Sequence, residues 1–338
     1  MDGNNTTRTN VTVVGVETPG PPVFDKIFRI LIVCIIIIVI VTAICGNILV
    51  CLAILLNKRL RKTTNYFIFS LAISDLMTAF FSMPFDVESL LNPYQWKSGE
   101  FTCNFWAFMY LISAPTSILN LMAVSLDRYF AISSPLRYYN VMKPRIALGA
   151  IASIWLYSLA FTTVGMVCWP YYDHSVMHGL CYFNISPYYS VVSSAVNFIL
   201  PTLIMCMIYF NIYKIASAHA RRIAKQEVFT SVVPLTSCSN EDSGTIISEK
   251  KRIKKNIKAA KTIAIIVSTF LLCWMPLTLT STVGSLCREC LSLNFELFYA
   301  MLALAYMNSA LNPILYSFFN QEFRESFKKL FKLQFRFR

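Results

Sequence analysis

Seven apolar runs constrain this chain more than any other feature of it. They lie at 27–56, 66–91, 104–133, 146–169, 188–213, 259–286 and 294–318. A helix needs about 20 mostly apolar residues to cross the hydrocarbon core of a bilayer, where its backbone polar groups must be satisfied within the segment. The runs therefore predict an all-α membrane protein, a seven-transmembrane helix bundle. With 56% hydrophobic and only 14% charged residues, the chain is too apolar to surround a single core with a water-facing surface. An odd number of spans places the two termini on opposite sides of the membrane.

The loops give the orientation. Lys and Arg concentrate at 58–62, 128–145, 214–261 and 324–338, and only Arg8, Lys26, Arg29, Lys97 and Arg288 fall on the other side. By the positive-inside rule the N-terminus is extracellular and the C-terminus cytoplasmic. The same clustering explains the net charge of +13 as contact with anionic membrane lipid, and nucleic acid is not an expected partner. Residues 1–26 form an outer tail with glycosylation sequons at Asn4, Asn5 and Asn10, and a fourth sequon, Asn184, lies on the same face. Within the bundle of 27–318, the polar stretch at about 226–249 is too poor in apolar residues to pack and is expected to be disordered. Residues 319–338 carry Phe319, Phe323, Phe327, Leu330 and Phe331 at helical spacing with basic residues between them. That pattern predicts a short amphipathic membrane-surface helix after span seven.

Cysteine usage sorts by compartment. Of the 11 cysteines, Cys103, Cys181, Cys287 and Cys290 lie on the outer, oxidising face, and Cys103 is expected to pair with Cys181 and Cys287 with Cys290. The three histidines, His174, His178 and His219, form no metal-binding cluster with aspartate, and an enzyme is not expected. No internal repeat suggests a transporter.

Several polar residues sit where lipid makes them costly. Asp75 lies in the middle of span two, and an intramembrane carboxylate should face the bundle interior. Asn47, Ser117, Asn308, Ser309 and Asn312 lie at comparable depth and offer either oxygen ligands for a small cation or a hydrogen-bonded network without one. Asp127-Arg128-Tyr129 closes span three at its cytoplasmic end, and Pro201, Pro276 and Pro313 interrupt spans five, six and seven.

These residues, with Gly46-Asn47, Leu71 to Asp75, Trp155, Tyr209, Phe270, Cys273 to Pro276 and Asn312-Pro313-Ile314-Leu315-Tyr316, resemble the signatures of rhodopsin-like G-protein-coupled receptors, one set per span in order. The resemblance implies an extracellular small-molecule ligand and a heterotrimeric G protein, with arrestin as a further partner, at the plasma membrane. No cofactor is implied beyond Na+ as an allosteric ion. Asp75, Ser117, Asn308 and Ser309 resemble the sodium pocket; Ile118, Pro201 and Phe270 resemble the connector below the ligand, and Trp274 the toggle residue. Arg128, Tyr209 and Tyr316 resemble the groups that rearrange when the cytoplasmic cavity opens. Where many relatives carry an acidic residue that holds the arginine, this chain has Asn256, which predicts some basal signalling.

Within that family the chain is most similar to the biogenic-amine group, through the 287–290 element, the 258–262 stretch and Tyr306. Ser193, Ser194 and Asn197 lie where amine receptors bind hydroxylated rings. The span-three position at which that group carries its ammonium-pairing aspartate is Tyr110 here. A buried ammonium without a counter-charge is unfavourable by several kcal/mol. Asp86 or Glu88 could supply the anion, or both could be solvated carboxylates at a helix end. Tyr94, Trp96, Trp106, Tyr110 and Trp169 predict an aromatic outer cavity suited to a cation or to a neutral apolar ligand. A constitutively active or ligandless receptor is the alternative.

Overall fold

The structure is a computed structural model that describes residues 22–92, 95–135, 137–138, 142–232, 240–287 and 295–336, with side chains at 26–92, 95–135, 137–138, 142–218, 257, 260–287 and 296–330. Asn4, Asn5, Asn10, Tyr94 and Cys290, and the side chain of Asn256, lie outside these residues. The chain forms the expected bundle. Its spans are the helices Pro22–Leu56, Thr63–Phe81 continued by Met83–Leu91, Gly99–Ser133, Pro144–Cys168, Pro187–Ser194 continued through a π turn to Leu200–Val232, Asn240–Leu286 and Phe295–Phe319. The first six are long and apolar enough to cross a membrane. Span seven has the length, but Asn308, Ser309 and Asn312 dilute its apolar character, and all three turn into the bundle.

The bundle is apolar outside and polar inside, the arrangement a lipid solvent demands. Ile38, Leu156, Val167 and Leu272 stand out from the surface, whereas Asn47, Ser74, Asp75 and Asn120 are buried at its axis. Span one packs against spans two and seven, and span three is the hub that spans two, four, five and six touch. Gly46 permits a close approach of spans one and seven, since a Cβ there would lie 2.7 Å from Pro313 Cγ. Asn47 ties the same pair of helices by donating to the Ser309 carbonyl at 3.0 Å.

Two breaks in helical regularity position the outer cavity. Span two is interrupted at Ser82, just ahead of Pro84, and a new helix carries Asp86 from there. Span five widens to a π turn over Ala195–Ile199. Its cause is Pro201, whose ring crowds the carbonyl four residues earlier, that of Asn197. Pro115 lies inside span three and was not among the interruptions expected from sequence.

The second outer loop folds into a hairpin pairing Val176–Met177 with Leu180–Cys181. His178 and Gly179 form its two-residue turn with positive φ at both positions, the geometry that matches strand twist. The Cys103–Cys181 disulfide fastens this hairpin to the top of span three, as expected. Cys287 is disulfide-bonded too.

Of the stretch at about 226–249, which was expected to be disordered, 233–239 lie outside the described residues, and helix is described up to Val232 and from Asn240 onward. The short helix expected after span seven is present as Gln321–Arg336, and it also packs on the bundle. Phe323 and Phe327 are buried against the bundle, with the Phe323 ring 5.5 Å from Tyr316. Asn57 donates to Ser326 Oγ at 2.6 Å, and Lys62 pairs with Glu322, so the helix is docked beneath spans one and seven.

Candidate functional site

A cavity of about 640 Å³ opens between the outer ends of spans two, three, five, six and seven. Asp86 lies in its wall and is only 2% exposed, so the reading of this residue as a solvated carboxylate does not hold. Two donors stabilise it, Tyr306 Oη at 2.6 Å and Trp106 Nε1 at 3.2 Å. Both reach Oδ2. Among the described residues no donor reaches Oδ1, which is left to the cavity. Glu88, by contrast, faces the outer loop and accepts from Ser98 Oγ at 2.7 Å.

Tyr110 stands in the centre of the aromatic floor. Its ring centroid is 6.1 Å from Trp274, 6.5 Å from Tyr306 and 5.3 Å from Phe183. Phe183, which closes the cavity from the second outer loop, was not singled out in the sequence; its place two residues after Cys181 is the signal that could have found it. Trp96 and Trp169 do not line the cavity: Trp96 packs behind Trp106, and the exposed Trp169 leans on Tyr189. The opposite wall is rich in hydroxyls. Ser193 and Ser194 line it together with Asn197, whose amide is already committed to Tyr157 at 2.8 Å and to Ser193 at 3.2 Å. Ser190 and Ser285 extend that wall outward and bond to each other. On the outer loop itself, the Asn184 amide holds the backbone of Tyr171 and Tyr172, accepting at 2.9 and 2.7 Å and donating at 2.8 Å.

Below the cavity, Trp274 stacks over Phe270, and Phe270 over Phe198. Ile118 is buried in the same core as Phe270, and Pro201 is buried at the end of the π turn. The Trp274 indole nitrogen has no hydrogen-bond partner among the described residues.

Asp75 occupies a separate polar cluster at mid-depth. Ser309 Oγ donates to one carboxylate oxygen at 2.8 Å and Asn312 Nδ2 to the other at 2.9 Å. Ser117 bonds to Ser74 rather than to the carboxylate, and Asn308 is buried nearby in span seven without a bond to it. Asp75 thus joins spans two and seven directly, and Ser117 of span three reaches the cluster through Ser74, the residue next to Asp75.

At the cytoplasmic end Arg128 is folded back on Asp127, with Nη2 2.6 Å from Oδ2. Thr64 of span two donates to the same oxygen at 2.5 Å and also contacts Arg128, and Tyr138 donates to Oδ1 at 2.8 Å. Burial, and then the charge on Asp127, push the Tyr138 phenol above its ordinary range and keep it protonated as a donor. Neither Thr64 nor Tyr138 is marked in the sequence by any motif. Tyr209 bonds to Ser125 at 3.0 Å and Tyr316 stacks on Phe323, so neither touches Arg128 in this arrangement.

Seven spans, the Asp127-Arg128-Tyr129 triplet and the proline of span seven together define a class. The family described as 7 transmembrane receptor (rhodopsin family) matches residues 46–316, and this chain belongs to it. Among named relatives it is 33% identical over 313 residues to the Octopamine receptor beta-1R of Drosophila melanogaster, a match covering 88% of this chain but 60% of that protein's length. It is 32% identical over 335 residues to the D(1A) dopamine receptor of Xenopus laevis, covering 90% and 73%, and 34% identical over 301 residues to the Histamine H2 receptor of Rattus norvegicus, covering 88% and 78%.

Proposed function

We propose that this receptor senses an extracellular cationic amine, with Asp86 as the counter-ion in place of a span-three aspartate. The observation that carries this reading is a buried carboxylate in the cavity wall with one oxygen uncommitted. The names of its relatives, receptors for octopamine, dopamine and histamine, support the ligand class. The ammonium would sit between Asp86 and Tyr110, and the far end of the ligand would bond to Ser193 or Ser194. Asp86 belongs to span two and the hydroxyl wall to spans five and six, so the ligand must reach across the bundle.

Binding activates only if it is tighter to the open bundle than to the closed one. Contact with Trp274 would be passed to Phe270, Ile118 and the proline-widened part of span five. The cytoplasmic ends would then separate, Arg128 would leave Asp127 and Thr64, and Tyr209 and Tyr316 would turn toward the space that admits a heterotrimeric G protein. Na+ at Asp75 would favour the closed state. Arrestin is a second partner for the same cavity, and membrane lipid surrounds the bundle. In this reading the protein is at the plasma membrane with its N-terminus outside, glycosylated at Asn4, Asn5 and Asn10, and with Asn184 as a weaker acceptor because its amide is engaged in the loop.

Second-messenger output in cells expressing the chain, measured with a panel of amines, tests the reading. A response lost in Asp86→Asn supports it. Output that needs no ligand and changes only with Arg128 substitution would favour a constitutively active receptor instead.

A further inference from the structure

The geometry points to a methylated ammonium, tertiary or quaternary, as the cation this receptor takes. The inference rests on Asp86 being the counter-ion and concerns what surrounds it. Rings enclose the carboxylate on several sides. Trp106 and Tyr306 touch it through their polar atoms, and Tyr110 and Tyr299 are close enough to feel its charge. Phe183 lines the same cavity and packs on two of these rings, 4.4 Å from Trp106 and 5.3 Å from Tyr110 between centroids.

A primary ammonium has three N–H donors, each of which must find an acceptor when it leaves water. Here Oδ2 already receives two donors, so the carboxylate contributes a single uncommitted oxygen. Beside that oxygen and the phenol oxygens, the cavity next to Asp86 is lined by the rings of Trp106, Tyr110, Phe183 and Tyr299 and by Leu302. Each methyl placed on the nitrogen removes one donor that needs an acceptor and adds a weakly hydrated, positively polarised surface that ring faces attract. A carboxylate inside a box of rings thus favours alkylated cations, whereas a carboxylate among hydroxyls would favour a primary amine.

Head-group probes test this without regard to ligand length. The full chain in lipid nanodiscs is titrated with methylammonium, trimethylammonium and tetramethylammonium chlorides, and the shift of its melting temperature is followed. Asp86→Asn and Tyr110→Leu are titrated in parallel after their ligand-free melting confirms that they fold. Tetramethylammonium is expected to half-saturate at a concentration about tenfold below methylammonium, equivalent to ~1.4 kcal/mol. Asp86→Asn should weaken all three cations, and Tyr110→Leu should reduce the preference for methyl groups while methylammonium binding persists. Methylammonium binding as tightly as the methylated cations, and depending on Asp86, overturns the methylated class and leaves the counter-ion reading standing. Binding of no cation in an Asp86-dependent way overturns both.

Discussion

Span two carries two buried carboxylates, Asp75 in the helix Thr63–Phe81 and Asp86 in its continuation Met83–Leu91, and their surroundings give them different tasks. Asp75 is enclosed by short polar side chains of span seven, one donor on each oxygen, and lies outside the large cavity. Asp86 has both donors on one oxygen, rings around it and an open side facing the cavity. Burial is nearly equal, at 1% and 2%, so it is not what separates them. The distribution of donors does. A carboxylate satisfied on both oxygens holds helices together, and one satisfied on a single oxygen retains an acceptor for something that arrives from outside.

The largest effect expected from breaking this contrast is in Asp86→Asn. The amide keeps its shape and can still accept from Tyr306 and Trp106, so melting should change little, while amine potency should fall about 100-fold or more, as for a buried charge that loses its partner. If potency is unchanged, Asp86 is not the counter-ion. On the other side of the contrast, Ser309→Ala leaves one oxygen of Asp75 unpaired. Stability should fall by about 1.5–3 kcal/mol, the range for bonds to charged groups, with amine affinity nearly constant. Thermal unfolding of the purified receptor alongside ligand binding checks both halves of that statement.

Gly46→Ala tests the packing that brings span seven and its donors to Asp75. The added methyl meets the Pro313 ring, and a loss of about 1–3 kcal/mol is expected from overpacking, read as a lower melting temperature. Tyr306→Phe should act on the Asp86 side alone. It removes one donor to a carboxylate, worth about 1.5–3 kcal/mol of stability, but because that bond is made with and without ligand, amine potency should shift only several-fold in dose–response curves while the Asp75 cluster is untouched. A drop as large as that of Asp86→Asn would mean that Tyr306 orients the carboxylate as well as bonding to it.

Much of the architecture is written in local pattern. The seven apolar runs predict the spans because lipid leaves a backbone no alternative to helix, and the resemblance to rhodopsin-like receptors falls on residues that the structure indeed places at the axis: Asp75, Asn312, Asp127 and Trp274. Asp86 was different. In the sequence it sits near the end of a span, where a solvated carboxylate and a buried one look alike. The break at Ser82 resets the helical phase, and the two donors come from positions 20 and 220 residues away. For the same reason Thr64 and Tyr138, the partners of Asp127, were invisible: each approaches from another segment without a signature of its own. The π turn could have been suspected from Pro201, but not its extent, since widening by one residue is a response of neighbouring helices to a missing hydrogen bond.

The sequence by itself determined that this chain is a seven-span receptor of the rhodopsin family, and where along it the apolar runs, the basic clusters and the intramembrane carboxylates fall. Those properties follow from hydropathy, from charge and from residue identity, which are local. Only the tertiary structure decided that Asp86 is buried rather than solvated, that one of its oxygens faces a cavity and that rings surround it. These properties depend on which side chains of spans three and seven reach the same point in space, and a buried polar group is defined by its partners.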